Sequence, residues 1–238
     1  MNKIILDNKK KIILDNSGDY YIEYSDSVND VNIIIDANIE VILNVFCCDK
    51  VISNNIRLSL SDNAKLVVNK FYNNIEVNED INIDLDGKMS SIVYNFSNIS
   101  LGLESYKINI NHNNRDVSSI INNRVIAFDG AGVEFIIDSN VEKGNSGAIM
   151  DQKTKIINLG DNKSVIKPNM NIHEYDVKAT HGAVIGKFRY DDIFYCMSRG
   201  ISYNDALNLL IKGFLLFGKD INLEYREYVN SVIDMYWR

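Results

Sequence analysis

The sequence predicts a mainly β protein that ends in a small helical unit, and three observations predict it. Short runs rich in Ile, Val and Leu recur through about residue 186, several alternating apolar and polar residues as half-buried strands do. Between them stand Asn, Asp, Ser and Gly, with no helical pattern long enough to cross over a sheet, which argues against a doubly wound α/β fold. After Lys187 the apolar spacing becomes helical.

The strand-like runs include "VNIIID" (31–36), "IEVILNVF" (39–46), "IRLSLSD" (56–62) and "KLVVNKF" (65–71). "INIDLDG" (81–87), "SIVYNF" (91–96), "YKININ" (106–111) and "VEFIID" (133–138) follow. A sandwich with hairpin turns and a solenoid of stacked coils both fit such runs. Asn-Gly, the strong hairpin dipeptide, is absent, and Asp-Gly occurs only at Asp86-Gly87 and Asp129-Gly130. Loose polar corners favour stacked coils, yet no fixed period is found, so the pattern leaves the two open. In a solenoid, Ile, Val and Leu would fill the interior, Asn-rich corners would face outward, and "MNKIILDNKKKIILD" would cap the first coil.

Three helices follow. "YDDIFYCMSRG" (190–200) has Asp191 and Asp192 in its first turn, Arg199 at its end and Gly200 as its stop. "SYNDALNLLIKGFLLFG" (202–218) starts on Ser202 as cap, with Asp205 as its capping partner, and stops at Gly218. It carries two apolar stripes: Ala206, Leu209, Leu210, Gly213, Phe214 and Phe217 on one side, Leu207, Ile211 and Leu215 on the other. One face suffices for a surface helix, so two imply burial on both sides. "INLEYREYVNSVIDMYW" (221–237) sets Ile221, Tyr225, Tyr228, Val232 and Met235 along one stripe.

At 238 residues with 46% hydrophobic and 24% charged residues, the chain is of ordinary globular composition and can bury a sizeable core. A net charge of −7 argues against a broad nucleic-acid or anionic-membrane surface. The N-terminus has only three consecutive apolar residues, too few for a secretory signal, and no run approaches a membrane span. Three cysteines, Cys47, Cys48 and Cys196, make no disulfide framework and point to a reducing cytoplasm.

Candidate sites fail one by one on their mechanics. In "THGAVIGKF" (180–188) three residues separate Gly182 from Gly186 and Phe188 follows Lys187, so a phosphate loop is one residue short and lacks its hydroxyl. "NIDLDG" (82–87) opens like a calcium loop, but Val93 stands at the twelfth position. His112, His173 and His181 form no zinc spacing. Cys196, between apolar neighbours in a helix, reads as a buried structural thiol, and Cys47 and Cys48 point to opposite faces of a strand.

The stretch from "KPNMNIHEYDVKATHGAVIGKF" through "DDIFYCMSRGISYNDALNLLIKGF" (167–214) resembles the SufB/SufD family of iron–sulfur cluster assembly scaffolds. Lys167-Pro168, Asp176-Val177-Lys178, His181-Gly182-Ala183, Gly186, Phe194-Tyr195, Ser198-Arg199-Gly200-Ile201, Ala206 and Gly213-Phe214 carry the match. Weaker agreement runs upstream through "INHNNRDVSSIINNRVIAFDG" (110–130) and Gln152. The resemblance implies a right-handed parallel β-helix over 1–186 and a C-terminal helical unit over 187–238. It further implies a non-catalytic subunit that pairs with a second scaffold through its β-helix and docks a SufC-like ABC ATPase through its tail. The phosphate-loop-like stretch would then turn the chain into the tail, its glycines serving backbone geometry. Phe194, Arg199, Gly200, Ile201, Ala206, Leu210 and Phe214 would contact the ATPase. A chain ending at Lys187 would keep its sheet and lose that partner.

The chain looks more like SufD than SufB: His181 matches the SufD interface histidine, and Gly182 stands where SufB has Glu. "GAIMDQKTKII" (147–157) lacks the cysteine that SufB places there, Ala179 replaces a cysteine often found in SufD, and the family's N-terminal helical region is missing. The implied metal contact is His181 alone. A cluster would be transient and would need the partner scaffold, with none held stably by this chain. A degenerate homodimer that binds or regulates the ATPase is the alternative, and a carbohydrate-active β-helix enzyme is a further one.

Overall fold

The structure, a computed structural model, describes residues 2–6, 11–24, 30–217 and 223–237. Fifteen strands form two sheets in which each sheet pairs every second strand of the chain. One sheet takes β1 (Asn2–Leu6), β3 (Gly18–Tyr24), β5 (Glu40–Cys48), β7 (Lys65–Asn73), β9 (Ser91–Ser100), β11 (Ser118–Ala127), β13 (Ala148–Asn158) and β15 (Val177–Gly186). The other takes β2 (Lys11–Leu14), β4 (Val31–Ile35), β6 (Val51–Leu60), β8 (Glu76–Leu85), β10 (Leu103–His112), β12 (Gly132–Val141) and β14 (Val165–Ile172). All pairings are parallel, as in β5 with β7, β10 with β12 and β13 with β15. The chain is therefore a parallel β-helix with two strands to a coil, and the sandwich reading falls. "MNKIILDNKKKIILD" supplies β1 and β2, strands of the first coil rather than a separate cap; residues 7–10 lie outside the described residues.

The missing sequence period has a geometric cause. Asn44, Asn69, Asn95 and Asn122 occupy one row across successive coils, and the steps between them are 25, 26 and 27 residues. The next coil takes 31, as between Asn123 and Thr154. The step changes from coil to coil, falling back to 29 between β13 and β15, so self-comparison at any fixed offset loses register. Corners repeat all the same. Asn38, Asn63, Met89, Asp116 and Gly147 each take positive φ at the equivalent bend, and each donates its N–H to the next coil. Asn, Asp and Gly tolerate that conformation, whereas Met89 carries its strain there. At the neighbouring corner only glycine fits, because a Cβ on Gly87 would lie 2.0 Å from the backbone of Ser61 and Asp62.

The asparagines do more than decorate corners, which corrects the expectation drawn from sequence. Along β7, β9 and β11 the Nδ2 of Asn69, Asn95 and Asn122 each donates to the Oδ1 of the asparagine a coil earlier, at 3.1–3.3 Å, starting from Asn44 on β5. On the other sheet Asn82, Asn109, Asn140 and Asn171 do the same at 2.8–3.2 Å. Amide ladders stack in register only because the strands are parallel and about 4.8 Å apart.

Ile, Val and Leu do line the bore, from Leu14 and Ile33 to Ile137 and Ile156. The bore also holds charge. Lys70 and Glu79, both essentially inaccessible, are ion-paired inside it. Tyr72 and Asn54 donate to Glu79 Oε1 at 2.8 and 3.2 Å, and Lys70 Nζ lies 4.1 Å from the Tyr72 ring centroid. One coil on, Asn98 and Tyr106 donate to Glu104 Oε2. Burial pushes the Glu104 carboxyl up to about 7, although those donors and Ser100 pull it down. Farther along, His112 Nδ1 donates to Asn140 O at 3.1 Å and its Nε2 accepts from Ser119 at 2.9 Å. Burial holds that imidazole down at about 4.

The tail comprises α1 (Tyr190–Ser198), α2 (Tyr203–Leu215) and α3 (Leu223–Tyr236). Ser202 caps α2 by accepting from the Asp205 N–H at 3.2 Å, and its hydroxyl donates to the Asp205 carboxylate at 2.6 Å. One stripe of α2, Ile211 and Leu215 with Leu207 beside them, packs with α3 on the outer face of the eight-stranded sheet, against Phe71, Ile99 and Ile126. Of the other stripe, Ala206 and Leu210 pack on α1 and Phe214 joins the sheet-side core, while Leu209 and Gly213 are exposed, so the two-sided burial holds only in part. The sheet also caps the end of α2: Ser97 donates to Leu215 O at 2.7 Å and Arg124 to Phe214 O at 2.8 Å. Gly218, read as its stop, lies outside the described residues, as does Ile221.

The stripe expected along α3 is shifted. Tyr225, Val229, Val232 and Ile233 are its buried face, while Met235 is exposed and Tyr228 partly so. Val229 and Ile233 join the core shared with the sheet in this rotation, while Phe46 touches both Tyr225 and Tyr228, at ring-centroid distances of 5.0 and 4.6 Å. The tail and the eight-stranded sheet share one core, which a chain ending at Lys187 would lack. Removing the tail would bare Phe71, Ile99 and Ile126 together.

Candidate functional site at the open coil and the helical tail

Two regions gather the residues singled out by sequence. The first is the last coil, where β14 and β15 end their sheets with one edge unpaired by any described strand. β15 occupies most of "THGAVIGKF", which is thus strand and not turn. Gly182 and Gly186 are extended, have open space around their Cα atoms and require no positive φ. The turning is done by the three residues between Gly186 and Tyr190. The role given to these glycines in bending the chain is therefore wrong.

Strand register sets what stands at this end. Val177, Ala179, His181, Ala183 and Ile185 continue the inward row of Ala148, Met150, Gln152, Thr154 and Ile156. With no further coil above them, His181 and Ile185 are exposed. An exposed flat edge with Val184 and Ile185 uncovered is the kind of edge that natural folds pair or cover. His181 makes no side-chain hydrogen bond to a described residue, so both ring nitrogens are available.

The thiols are placed differently. Cys47 faces the bore, where burial pushes it up to about 11, and Cys48 faces the tail, 3.3 Å from the Tyr228 hydroxyl and also raised by burial. Cys196 is buried between α1 and α2. A thiol held up in this way presents little thiolate, the form that binds metal. Among the described residues no three His, Cys, Asp or Glu side chains come together as a ligand set.

The second region is the outer surface of the tail. Ile193 and Cys196 point α1 inward, which turns Tyr190, Phe194, Tyr195 and Met197 outward; Phe194 and Tyr195 are each more than half exposed, at 57% and 59%. Tyr203 and Leu209 of α2 are exposed as well. Arg199 holds its guanidinium 5.0 Å from the Tyr195 ring centroid. Arg199-Gly200-Ile201 also form the helix stop: Gly200 takes φ of 84°, its N–H donates to Met197 O, and the Ile201 N–H reaches back to Cys196 O.

Of the seven tail residues singled out, Phe194, Arg199 and Gly200 are exposed, whereas Ile201 and Leu210 are half-buried in one cluster with fully buried Ala206. Phe214 belongs to the other core, edge-on to Phe188. Ala206 thus shapes the surface from beneath. Tyr190, Tyr195, Met197 and Tyr203 were not singled out as contacts; of these, Tyr195 falls on the face of α1 opposite Ile193 and Cys196.

The architecture is that of a parallel β-helix protein whose packed helical tail leaves an aromatic face uncovered. Residues 26–214 match the family model described as SUF system FeS cluster assembly, SufBD core domain. The chain belongs to the SufBD family. It is similar to the iron–sulfur cluster assembly protein SufD of Escherichia coli, 44% identical over 48 residues, which is 20% of this chain and 11% of that protein. SufD of Bacillus subtilis is 30% identical over 113 residues, 47% of this chain and 26% of that protein. An iron–sulfur cluster assembly SufBD family protein of Mycobacterium tuberculosis is 27% identical over 122 residues, 50% of this chain and 14% of that protein. The matched stretches thus span about a quarter or less of these relatives. No described helix is long and apolar enough to cross a membrane.

Proposed function

We propose that this chain is a non-catalytic, SufD-like scaffold subunit that docks a SufC-like ABC ATPase on its tail and pairs with a second scaffold through its open coil. The observation that carries the reading is the row Tyr190, Phe194, Tyr195 and Met197, which a tail serving only internal packing would not leave in water. Aromatic and Arg side chains dominate protein contacts, and Arg199 stands beside that row. The β15 edge, with its main chain unpaired, supports pairing with a second sheet.

The cluster is cargo in this reading. Closure of the ATPase dimer pulls on the tails and shifts the interface between scaffolds, where His181 holds nascent iron through an imidazole nitrogen. One imidazole cannot hold a cluster by itself, and soft iron–sulfur sites favour thiolates that this chain keeps buried. The partner scaffold supplies them. The same burial favours, as a second reading, a homodimer that binds the ATPase without handling a cluster.

Anaerobic iron and sulfide loading separates the two. The full chain alone should retain no stable cluster, and replacing Cys47, Cys48 and Cys196 together by Ser should leave its iron content unchanged. With a cysteine-bearing SufB-like scaffold present, His181→Ala should lower bound iron. A cluster on the chain alone that the triple variant loses would overturn the scaffold-partner account. Iron retention indifferent to His181 in the pair would favour the regulatory homodimer.

A further inference from the structure

Below His181 lies a polar group with no partner. Gln152 is its register partner on β13, pointing to the same face one coil down, and is 1% exposed. The Gln152 amide donates through Nε2 to Ser139 Oγ at 2.7 Å and to the main-chain oxygen of Asn169 at 3.3 Å. With both N–H groups taken by the opposite sheet, the amide is fixed, yet its Oε1 is buried and accepts from nothing described. A buried acceptor left unmade is costly, so a donor is expected beside it.

The neighbours on that face narrow the choice. Ile121 below and Met150 alongside carry no donor, and the Thr154 hydroxyl, which accepts from Asn123, makes no hydrogen bond to Gln152 Oε1. His181 is the remaining neighbour, about 4.8 Å away at the Cα by strand spacing, with an N–H that no described residue accepts.

We propose that Gln152 is the positioning residue for His181: rotation of the exposed ring seats one imidazole N–H on Gln152 Oε1. That contact fixes the tautomer and turns the other nitrogen's lone pair away from the bore, toward whatever covers the open coil. A hydrogen bond on one ring nitrogen is what decides which nitrogen is free to bind a metal. The proposal deepens the reading of His181 as an iron-holding residue, but the contact itself needs no metal.

The test is ring ¹⁵N NMR of the full chain at a pH where the histidines are neutral, with His181→Asn assigning the signal among His112, His173 and His181. In the native chain His181 should be almost wholly one tautomer. Gln152→Met, which keeps the length and removes the acceptor, should raise the minor tautomer several-fold, and Gln152→Glu should restore a single form. Equal mixtures in the native chain and Gln152→Met would overturn the proposal and assign the orphan oxygen to water. Should Gln152→Met not fold, the native spectrum decides, since a mixed His181 tautomer there is already contrary. Iron retention by the paired scaffolds is read separately, so either result can fail without the other.

Discussion

Replacing Lys70 by Met removes the buried cation paired with Glu79 and leaves that carboxylate among neutral donors. Lys70 Nζ touches Glu79 Oε2 and lies 3.3 Å from the Tyr94 hydroxyl, while Tyr72 and Asn54 hold the other carboxylate oxygen. Burial already drives the Lys70 ammonium down, opposed by Glu79, so the pair persists because each partner offsets the desolvation of the other. Breaking such a buried pair from one side costs about 3–5 kcal/mol. Against a total stability of about 5–15 kcal/mol that is a large share. The full-length variant should show it in urea unfolding at pH 7 followed by far-UV circular dichroism. Lys70→Met with Glu79→Gln should recover most of the loss, since no buried charge remains. A loss below about 1 kcal/mol at pH 7, or a double variant as unstable as the single one, would refute the reasoning.

Two other bore residues oppose each other in pH. Glu104 is raised from 4.5 to about 7, so its contribution is full below 4.5 and is lost as pH rises through 7. His112 is depressed from 6.5 to about 4, so its contribution is full above 6.5 and is lost as pH falls through 4. Glu104→Gln should therefore make stability climb more steeply between pH 4.5 and 6.5, by about 1.4 kcal/mol per pH unit; denaturant titrations showing an unchanged slope would contradict this. Ile211→Ala opens a cavity between α2 and the sheet and should cost about 2–5 kcal/mol, with hydrogen exchange rising first in α2 and α3. Uniform exchange throughout the β-helix instead would show that the tail is not a separable layer.

Strand by strand, the alternation of β4, β6, β8 and β12 was legible because a half-buried strand repeats every second residue. The same alternation carried a signal that went unused. Lys70 falls in step with Leu66 and Val68, and Glu79 with Val77 and Ile81, so each was marked as facing inward. What sequence does not convey is that a corner brings the two together nine residues apart. His181, in step with Val177 and Ala179, was likewise readable as inward-facing, but the paired glycines drew the reading toward a turn. In α3 two overlapping stripes share Tyr225 and Val232, and only the packing of Val229 and Ile233 against the sheet decides between them. The exposed aromatics of α1 follow from its buried face; their use does not.

Binding of the full chain to a purified SufC-like ABC ATPase, by isothermal titration, bears most directly on the central claim. The native protein should form a one-to-one complex. Phe194→Asp with Tyr195→Ser should weaken it at least tenfold, about 1.4 kcal/mol, at an unchanged melting temperature, because both rings are more than half exposed. No complex with the native chain, or equal affinity in the double variant, would contradict docking through the tail.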